Sequence, residues 1–219
     1  MQRFEIKLEN IDFNSQESFK TLRFNVEFSG ERNQVFYVTS TFPNEGKSTV
    51  SLELSLSFAE NGKKVLLIDA DLRKSVSKRW VHKGDITMGL TDYLVGRGEI
   101  SDVLAVSDIP NFSMIFSGPT PPNPSEILSG RRFEQLIETV KRDFDIIIID
   151  TPPMLSVIDA AVIAKSCDGG IIVISSGKTS YRQIRKTRDQ LERANSKIIG
   201  CVLNKVDNSQ SDYYSYYYK

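Results

Sequence analysis

A polar loop that follows an apolar run carries the sequence Gly46-Lys47-Ser48-Thr49. In such a loop at the start of a helix, backbone N–H groups point inward and the helix dipole adds positive potential, so phosphate oxygens bind there. Gly46 would let the backbone approach the phosphates closely, Lys47 would contact them as a point charge, and the Ser48 hydroxyl would bind Mg²⁺. Thr41 stands where such loops usually have their first glycine, five residues before Gly46.

Two further motifs place carboxylates at the ends of apolar runs. Asp69 and Asp71 end one run, and Asp150 follows four consecutive isoleucines. Because open α/β sheets bind ligands outside the carboxyl ends of their strands, we expect these groups to meet Lys47 at one edge of a sheet. A lysine beside three carboxylates predicts a Mg·nucleotide site. The alternative is that each carboxylate only caps a loop or a strand end.

A third motif, Asn204-Lys205-Val206-Asp207, is similar to the base-recognition loop of GTPases, N-K-x-D. Two interpretations are open at this point. Asn204 is either a nucleotide-binding residue or part of a plain loop in which its side chain bonds the backbone. The motif alone therefore predicts no specificity for guanine.

Six short apolar, β-branched runs are the predicted strands that position these groups. Several are continuous rather than alternating, which indicates strands buried on both faces. Helical stretches, including 131–142 and 181–194, separate most of them. This alternation predicts an α/β domain with a mostly parallel central sheet and helices on both faces. The six predicted strands are 35–40, 65–70, 112–116, 146–150, 170–175 and 198–204.

Residues 47–61 are predicted to form a helix although their pattern is that of a strand. Apolar residues alternate with serine and glutamate from Val50 to Phe58. A phosphate-binding loop nevertheless needs a helix N-terminus after Lys47, and Gly62 is a natural helix stop.

Composition excludes several classes of protein. The chain has 219 residues, 28 basic and 28 acidic, so its formal net charge is zero. This balance argues against a nucleic-acid binder that relies on overall basic charge. The single histidine, His82, excludes a site with several histidine ligands. Cys167 and Cys201 are expected to be buried, unpaired thiols in a reducing compartment.

No apolar run approaches the 18 residues of a spanning helix, and the N-terminus lacks the apolar core of a signal peptide. We therefore expect a soluble cytosolic protein that reaches a membrane only through a partner. The length favours one domain, residues 1–206.

The last 13 residues, 207–219, differ from the rest of the chain. Five of the eight tyrosines fall within the last seven residues, and the segment has no aliphatic side chain. Without aliphatic side chains to pack it, we expect a flexible tail. The clustered tyrosines are Tyr213, Tyr214, Tyr216, Tyr217 and Tyr218.

Taken together, the motifs resemble those of the bacterial tyrosine kinases, P-loop NTPases of capsule and exopolysaccharide assembly. The family's Walker A motif has a proline at the position of Pro43, its Walker A′ motif D-x-D-x-R is matched by Asp69, Asp71 and Arg73, and its Walker B motif ends at Asp150. The loop 118–128 and the tyrosine cluster also look like the family's. The resemblance covers about residues 15 to 219.

The resemblance implies ATP and Mg²⁺ as cofactors. The Mg²⁺ ligands and outer-shell groups would come from Ser48, Asp69 and Asp150, and the phosphoacceptors would be the five tail tyrosines. Catalytic roles fall to Lys47, Asp69, Asp71 and Asp150. Asp69 is the first choice for the carboxylate that accepts the tyrosine proton or holds Mg²⁺, with Asp71 the second, and the sequence does not apportion these two roles. The predicted nucleotide-binding residues are Pro43, Asn44, Glu45, Gly46, Lys47, Ser48, Thr49, Arg73 and Asn204.

The family also carries E-x-x-R-x-x-R in its first helix, which mediates ring-shaped oligomers. Glu17, Lys20 and Arg23 match this motif, with lysine in the middle position. The resemblance implies an unphosphorylated ring and a phosphorylated monomer. It also implies a transmembrane activator, a polysaccharide chain-length regulator, that recruits the kinase to the inner face of the plasma membrane, and a cognate tyrosine phosphatase. No nucleic-acid partner is expected.

Two other functions compete with a kinase that phosphorylates its own tail in trans. One is an ATPase switch like the partitioning and division-site positioning ATPases, which carry an additional lysine near the start of the P-loop. The corresponding residue here is Phe42, and no lysine lies between Arg32 and Lys47. The other is a nucleotide-binding scaffold without catalysis, against which the intact lysine, serine and carboxylates argue.

Overall fold

A computed structural model describes residues 1–7, 12–30 and 32–206. Nine strands form one sheet in the order β4-β1-β5-β6-β3-β7-β2-β8-β9. The strands are β1 Gln2–Ile6, β2 Val35–Ser40, β3 Val65–Asp69, β4 Val81–Lys83, β5 Leu104–Ser107, β6 Phe112–Ile115, β7 Ile146–Asp150, β8 Gly169–Ser175 and β9 Ile198–Asn204. The helices are α1 Phe13–Glu27, α2 Lys47–Glu60, α3 Leu90–Leu94, α4 Ile100–Val103, α5 Pro124–Leu128, α6 Arg131–Val140, α7 Asp159–Ile163 and α8 Tyr181–Arg193.

The predicted fold class is confirmed. Strands β6, β3, β7, β2, β8 and β9 run parallel to one another, and antiparallel pairing occurs between β5 and β6 and between β1 and β4. All six predicted strands are present, with ends that differ by at most one residue. Strands β1, β4 and β5, which have only three to five residues each, were not predicted from the sequence.

The central strands are buried on both faces, and their side chains divide the core into two layers. Along β2, Val35 and Tyr37 pack into one hydrophobic cluster and Phe36 and Val38 into the other. Helices α1 and α2 cover the second cluster, whereas α6, α7 and α8 cover the first. This two-sided burial explains why these strands read as continuous apolar runs.

The prediction that a helix follows the phosphate loop, although its apolar residues alternate as in a strand, is confirmed by α2. Ten of its 14 residues are buried, so apolar side chains are needed on nearly every side and no single stripe develops. Two of its buried serines bond back to the preceding turn, with Ser51 Oγ 2.9 Å from the Lys47 carbonyl oxygen and Ser55 Oγ 2.7 Å from that of Ser51.

One expectation about the cysteines is wrong. Cys167 is half-buried, and burial raises the pKa of its thiol, but Cys201 is exposed because β9 is the last strand of the sheet.

The predicted boundary at residue 207 lies outside the described residues. Within the described part of the chain, none of the helices has the length and apolarity needed to cross a bilayer.

Candidate nucleotide site

The loop 41–46 joins β2 to α2 and forms the floor of the candidate site. Gly46 has φ 95°, a left-handed conformation that favours glycine. A Cβ atom at this position would clash with Nδ2 of Asn204, so a larger residue would displace the Asn204 side chain. The backbone of the predicted phosphate loop therefore depends on Gly46 for both its conformation and its packing.

The ammonium group of Lys47 lies among the predicted carboxylates at the start of α2. Its Nζ atom is 3.0 Å from Asp71 Oδ2, 3.6 Å from Asp150 Oδ1 and 3.1 Å from Ser48 Oγ. Burial lowers the pKa of Lys47, but the charges of Asp150 and Asp71 outweigh burial, so the net shift is upward. Lys47 is therefore held in its charged form beside two carboxylates.

Asp150 and Asp69 lie at the ends of neighbouring parallel strands. They are paired in the register of β7 and β3, which brings their two side chains to the same sheet edge. Burial raises the pKa of Asp150, and the Lys47 charge and the Ser48 and Ser51 hydroxyls oppose that shift without cancelling it. The sheet thus brings together all four predicted catalytic side chains.

Asp69 accepts three hydrogen bonds from the segment that follows β3. The Asp71 backbone N–H donates to Oδ1 over 3.1 Å, and the hydroxyls of Ser75 and Ser77 each donate to Oδ2 over 2.5 Å. Burial and the charge of Asp150 nevertheless raise the pKa of Asp69 to about 7. A carboxylate with this pKa can exchange a proton near neutral pH.

The donor set at the site fits a magnesium ion bound partly through water. Ser48 supplies a buried hydroxyl on the first turn of α2, and Lys47 Nζ lies 3.1 Å from that hydroxyl and 3.6 Å from Asp150 Oδ1. The described residues contain no cluster of three His, Cys, Asp or Glu side chains that would enclose a metal directly. Mg²⁺ keeps several waters and commonly binds through one or two protein groups plus substrate phosphates, which agrees with this donor set.

Arg73, predicted to bind nucleotide, makes its described contacts with another loop. Its Nε atom is 2.8 Å from Oδ2 of Asp159, a fully buried residue, and its Nη2 atom is 3.0 Å from Ser125 Oγ. Bonds to Asp159 raise the pKa of Arg73. This ion pair links the segment after β3 to α5 and α7.

The phosphate loop is held by side chains that the sequence analysis missed or assigned differently. The Glu45 carboxylate is buried and accepts hydrogen bonds from the Phe42 N–H over 2.8 Å, the Ser175 N–H over 3.3 Å and the Thr179 hydroxyl. Thr41, in place of the usual glycine, bonds the Thr187 hydroxyl of α8 over 3.1 Å. No local motif signals the contacts with residues 175–187, because these residues lie 130 to 146 positions away along the chain.

Asn204 also contacts the phosphate loop, residues 41–46. Its Nδ2 atom donates to the Glu45 carbonyl oxygen over 2.9 Å, and Lys205 Nζ donates to the Asn44 carbonyl oxygen over 2.5 Å. For the motif at Asn204, these contacts favour the second interpretation, a plain loop in which the Asn204 side chain bonds the backbone. Pro43, Asn44 and Thr49 are exposed around the same loop.

The tail tyrosines, Tyr213, Tyr214, Tyr216, Tyr217 and Tyr218, lie outside the described residues. Of the three tyrosines within the described chain, Tyr37 and Tyr93 are buried and Tyr181 is 77% exposed. Burial raises the pKa of Tyr37 to about 12.

The residues predicted for oligomer contacts lie on α1. Lys20 and Glu17 form an exposed ion pair with 2.7 Å between Nζ and Oε1. Arg23 is 7% exposed, and its Nε and Nη1 atoms have no hydrogen-bond partner among the described residues.

The chain is similar in sequence and in fold to several known proteins. Residues 44–199 match a family model described as an AAA domain. The tyrosine-protein kinase CpsD of Streptococcus agalactiae is 41% identical over 202 residues, which are 92% of this chain and 88% of that protein. The kinase domain of the Escherichia coli tyrosine kinase ETK superposes with a TM-score of 0.82 at 32% identity, covering 92% of this chain and 84% of that chain.

A more distant match concerns the fold alone. The septum site-determining protein MinD of Pyrococcus horikoshii, in complex with Mg-ADP, has a TM-score of 0.67 at 24% identity over 81% of this chain and 72% of that chain. This match shows a shared fold only, whereas the sequence relative at higher identity carries the name of a tyrosine-protein kinase.

Proposed function

The chain belongs to the bacterial tyrosine-protein kinases, and we propose that it transfers the γ-phosphoryl group of Mg·ATP to the tail tyrosines of a second copy of itself. The observation that carries this proposal is the position of the Lys47 ammonium between Asp71 and Asp150 on the first turn of α2. That arrangement supplies a phosphate-binding cation, a helix N-terminus and carboxylates at one point.

In the proposed step, the tyrosine hydroxyl oxygen attacks the γ-phosphorus while the bond to the β–γ bridging oxygen breaks. ADP leaves with the electron pair, and the hydroxyl proton passes to a carboxylate of the protein. Lys47 and the loop N–H groups stabilise the charge on the phosphoryl oxygens. Magnesium, held by Ser48 and through water by Asp150, would neutralise further charge on the phosphates.

We assign the proton to Asp69 rather than to Asp71. The Asp69 pKa of about 7 suits proton transfer near neutral pH. Both carboxylates accept hydrogen bonds on both oxygens, but Asp71 forms an ion pair with Lys47 Nζ at 3.0 Å, whereas the described hydrogen-bond donors to Asp69 are uncharged. Asp71 then has the role of positioning Lys47.

A serine substitution tests the assignment of the base through its pH profile. Ser77→Ala removes a donor that favours the ionised form of Asp69, so the pKa of Asp69 rises. Because the base must be ionised, we expect the acid limb of the phosphoryl-transfer rate to move to higher pH, by about one unit. Ser57→Ala is the control, since Ser57 is buried on α2 and its hydroxyl has no partner among the described residues. An unchanged acid limb would show that Asp69 is not the base.

Transfer between copies is tested by mixing two inactive halves. A Lys47→Met chain keeps the tail but lacks the phosphate-binding cation, and a chain with Phe at all five tail positions keeps the site but lacks the acceptors. When mixed with Mg·ATP, the Lys47→Met chain should gain phosphate, as measured by intact mass spectrometry. Each variant alone should gain none. Phosphate-free Lys47→Met chains in the mixture would mean that transfer occurs within one copy.

We further propose a ring-shaped homo-oligomer built through α1. Arg23 is a buried cation with two unsatisfied donors among the described residues, and a movement of its side chain on assembly would bring them to a carboxylate of a neighbouring copy. Phe24 and Phe28, on and just after α1, are 50% and 83% exposed. An exposed aromatic patch next to an unsatisfied cation is typical of a protein–protein contact.

Phosphorylation should dissociate this oligomer. Each phosphate adds a charge of about −1.5 to −2 near the subunit boundary, and the repulsion disfavours assembly. Native mass spectrometry should show rings for the dephosphorylated wild type and monomers after incubation with Mg·ATP. Arg23→Ala should give monomers in both conditions, while Arg32→Ala, an exposed arginine outside α1, should assemble like the wild type. Equal oligomers before and after phosphorylation would contradict the proposal.

The family resemblance supplies the remaining proposals. A transmembrane chain-length regulator would activate the kinase and recruit it from the cytoplasm to the inner face of the plasma membrane. A cognate tyrosine phosphatase would reverse the modification, and the cycle would regulate capsule or exopolysaccharide synthesis and export.

A further inference from the structure

The segment between β3 and β4 carries a cluster of cations beside the candidate site. We call residues 73–80 the basic loop. It contains four basic residues and no acidic one. Lys74, Lys78 and Arg79 are exposed, and none of them forms an ion pair with any described residue. Arg73 is the exception, since it is held by Asp159.

The basic loop is fixed directly to the catalytic carboxylates. Asp69 Oδ2 accepts from the hydroxyls of Ser75 and Ser77, and Asp71 Oδ1 accepts from the backbone N–H of Lys74. Trp80 closes the loop by packing into the hydrophobic core at 6% exposure. These contacts hold three unpaired positive charges within a few residues of the groups proposed to act in phosphoryl transfer.

The chemistry of the tail complements these charges. Residues 207–219 contain Asp207 and Asp212 but only one basic residue, Lys219. Every phosphate transferred to the five tyrosines adds about −1.5 to −2 to this segment. The tail therefore becomes strongly anionic as the reaction proceeds.

We propose that the basic loop is the docking surface for the tail of a second copy, with higher affinity for a tail that already carries phosphate. This inference rests on the proposed function, in which the tail is the acceptor. Lys74, Lys78 and Arg79 bind the acidic and phosphorylated residues of the tail and leave an unmodified tyrosine near Asp69. One phosphorylation then promotes the next on the same tail, until the accumulated charge separates the subunits.

Peptide binding to the dephosphorylated full-length chain tests this surface. The probes are fluorescent peptides of residues 207–219, one unmodified and one phosphorylated on Tyr216 and Tyr217. The test variant is Lys74→Gln/Lys78→Gln/Arg79→Gln. Its control, Lys63→Gln/Lys64→Gln/Arg142→Gln, removes three exposed cations next to the amino ends of β3 and β7, at the opposite edge of the sheet.

We expect the phosphopeptide to bind the wild type more tightly than the unmodified peptide, with a Kd that rises with salt because exposed charges are screened. The test variant should raise the Kd of the phosphopeptide by about tenfold, and the control by less than about twofold. Nucleotide affinity should be unchanged in both variants, which shows that the site is intact. Equal Kd values for wild type and test variant would overturn the inference.

A vesicle measurement separates this partner from a lipid surface. If the test variant keeps its affinity for the phosphopeptide but loses binding to vesicles with 30 mol% phosphatidylserine, the basic loop is a membrane contact and the inference is wrong. Intact mass after incubation with Mg·ATP is recorded separately. A wild-type tail that gains no phosphate would refute the proposed function. If the tail gains phosphate but the Kd of the phosphopeptide is the same for the wild type and the test variant, only the docking surface is refuted.

Discussion

Replacing Lys47 with methionine should lower the rate of phosphoryl transfer by about 10²–10³-fold, the usual loss when one preorganised charge-stabilising group is removed. The reason is geometric. The Lys47 ammonium is the cation that lies between Asp71 and Asp150, at 3.0 and 3.6 Å from their oxygens. Without it, the phosphate oxygens of ATP would face two carboxylates with no nearby positive charge from α2. Single-turnover transfer of labelled phosphate measures the change.

Lys63→Met is the matched control for this experiment. Lys63 is exposed at the amino end of β3, the opposite end from Asp69, so the same chemical change there should leave the rate within about twofold of the wild type. Circular dichroism and thermal unfolding of both variants check that the fold is retained. Wild-type transfer by a folded Lys47→Met chain would show that another group binds the phosphates.

Changing all five tail tyrosines to phenylalanine should abolish autophosphorylation while leaving nucleotide affinity within about twofold, because surface substitutions away from buried features change little. The acceptor hydroxyls are lost, but the described contacts around Lys47 involve residues 41–205 only. Intact mass spectrometry counts the phosphates, and titration with a fluorescent ATP analogue measures the affinity.

The three tyrosines within the described residues are the other possible acceptors if the variant with five substitutions still gains phosphate. Tyr37 and Tyr93 are buried, and the Tyr37 hydroxyl lies 2.6 Å from Ser196 Oγ, so neither is accessible in the folded chain. Tyr181 is exposed at the start of α8. If the variant with five substitutions still gains phosphate, peptide mapping should locate it on Tyr181, and the assignment of the acceptors to the tail is then wrong.

The central part of the fold could be predicted because its strands are buried on both faces. Continuous apolar runs such as 146–150 indicate buried strands clearly. The alternating pattern of residues 47–60 was ambiguous, and it was assigned to helix α2 because a phosphate-binding loop needs a helix N-terminus after Lys47. Strands β1, β4 and β5 gave no such signal. They are short and lie toward one side of the sheet, where β4 has no buried residue.

The candidate site was predictable as far as local motifs reach. Lys47 begins a helix, Asp69 and Asp150 end strands, and Asp71 lies two residues after a strand. Parallel strands bring such positions to one edge of the sheet. The contacts of Glu45 with Thr179 and of Arg73 with Asp159 were not predictable, because they join residues 134 and 86 positions apart. Only the folded sheet brings those loops together.

The most direct measurement is intact mass spectrometry of the full-length chain after incubation with Mg·ATP. Lys47→Met is measured beside it, each with and without the cytoplasmic tail of a polysaccharide chain-length regulator. We expect up to five phosphate increments on the wild type, all mapping to Tyr213–Tyr218, and none on Lys47→Met over the same incubation time. Steady release of free phosphate with no increment on any tyrosine, even with the regulator tail, would contradict the account and identify an ATPase switch instead.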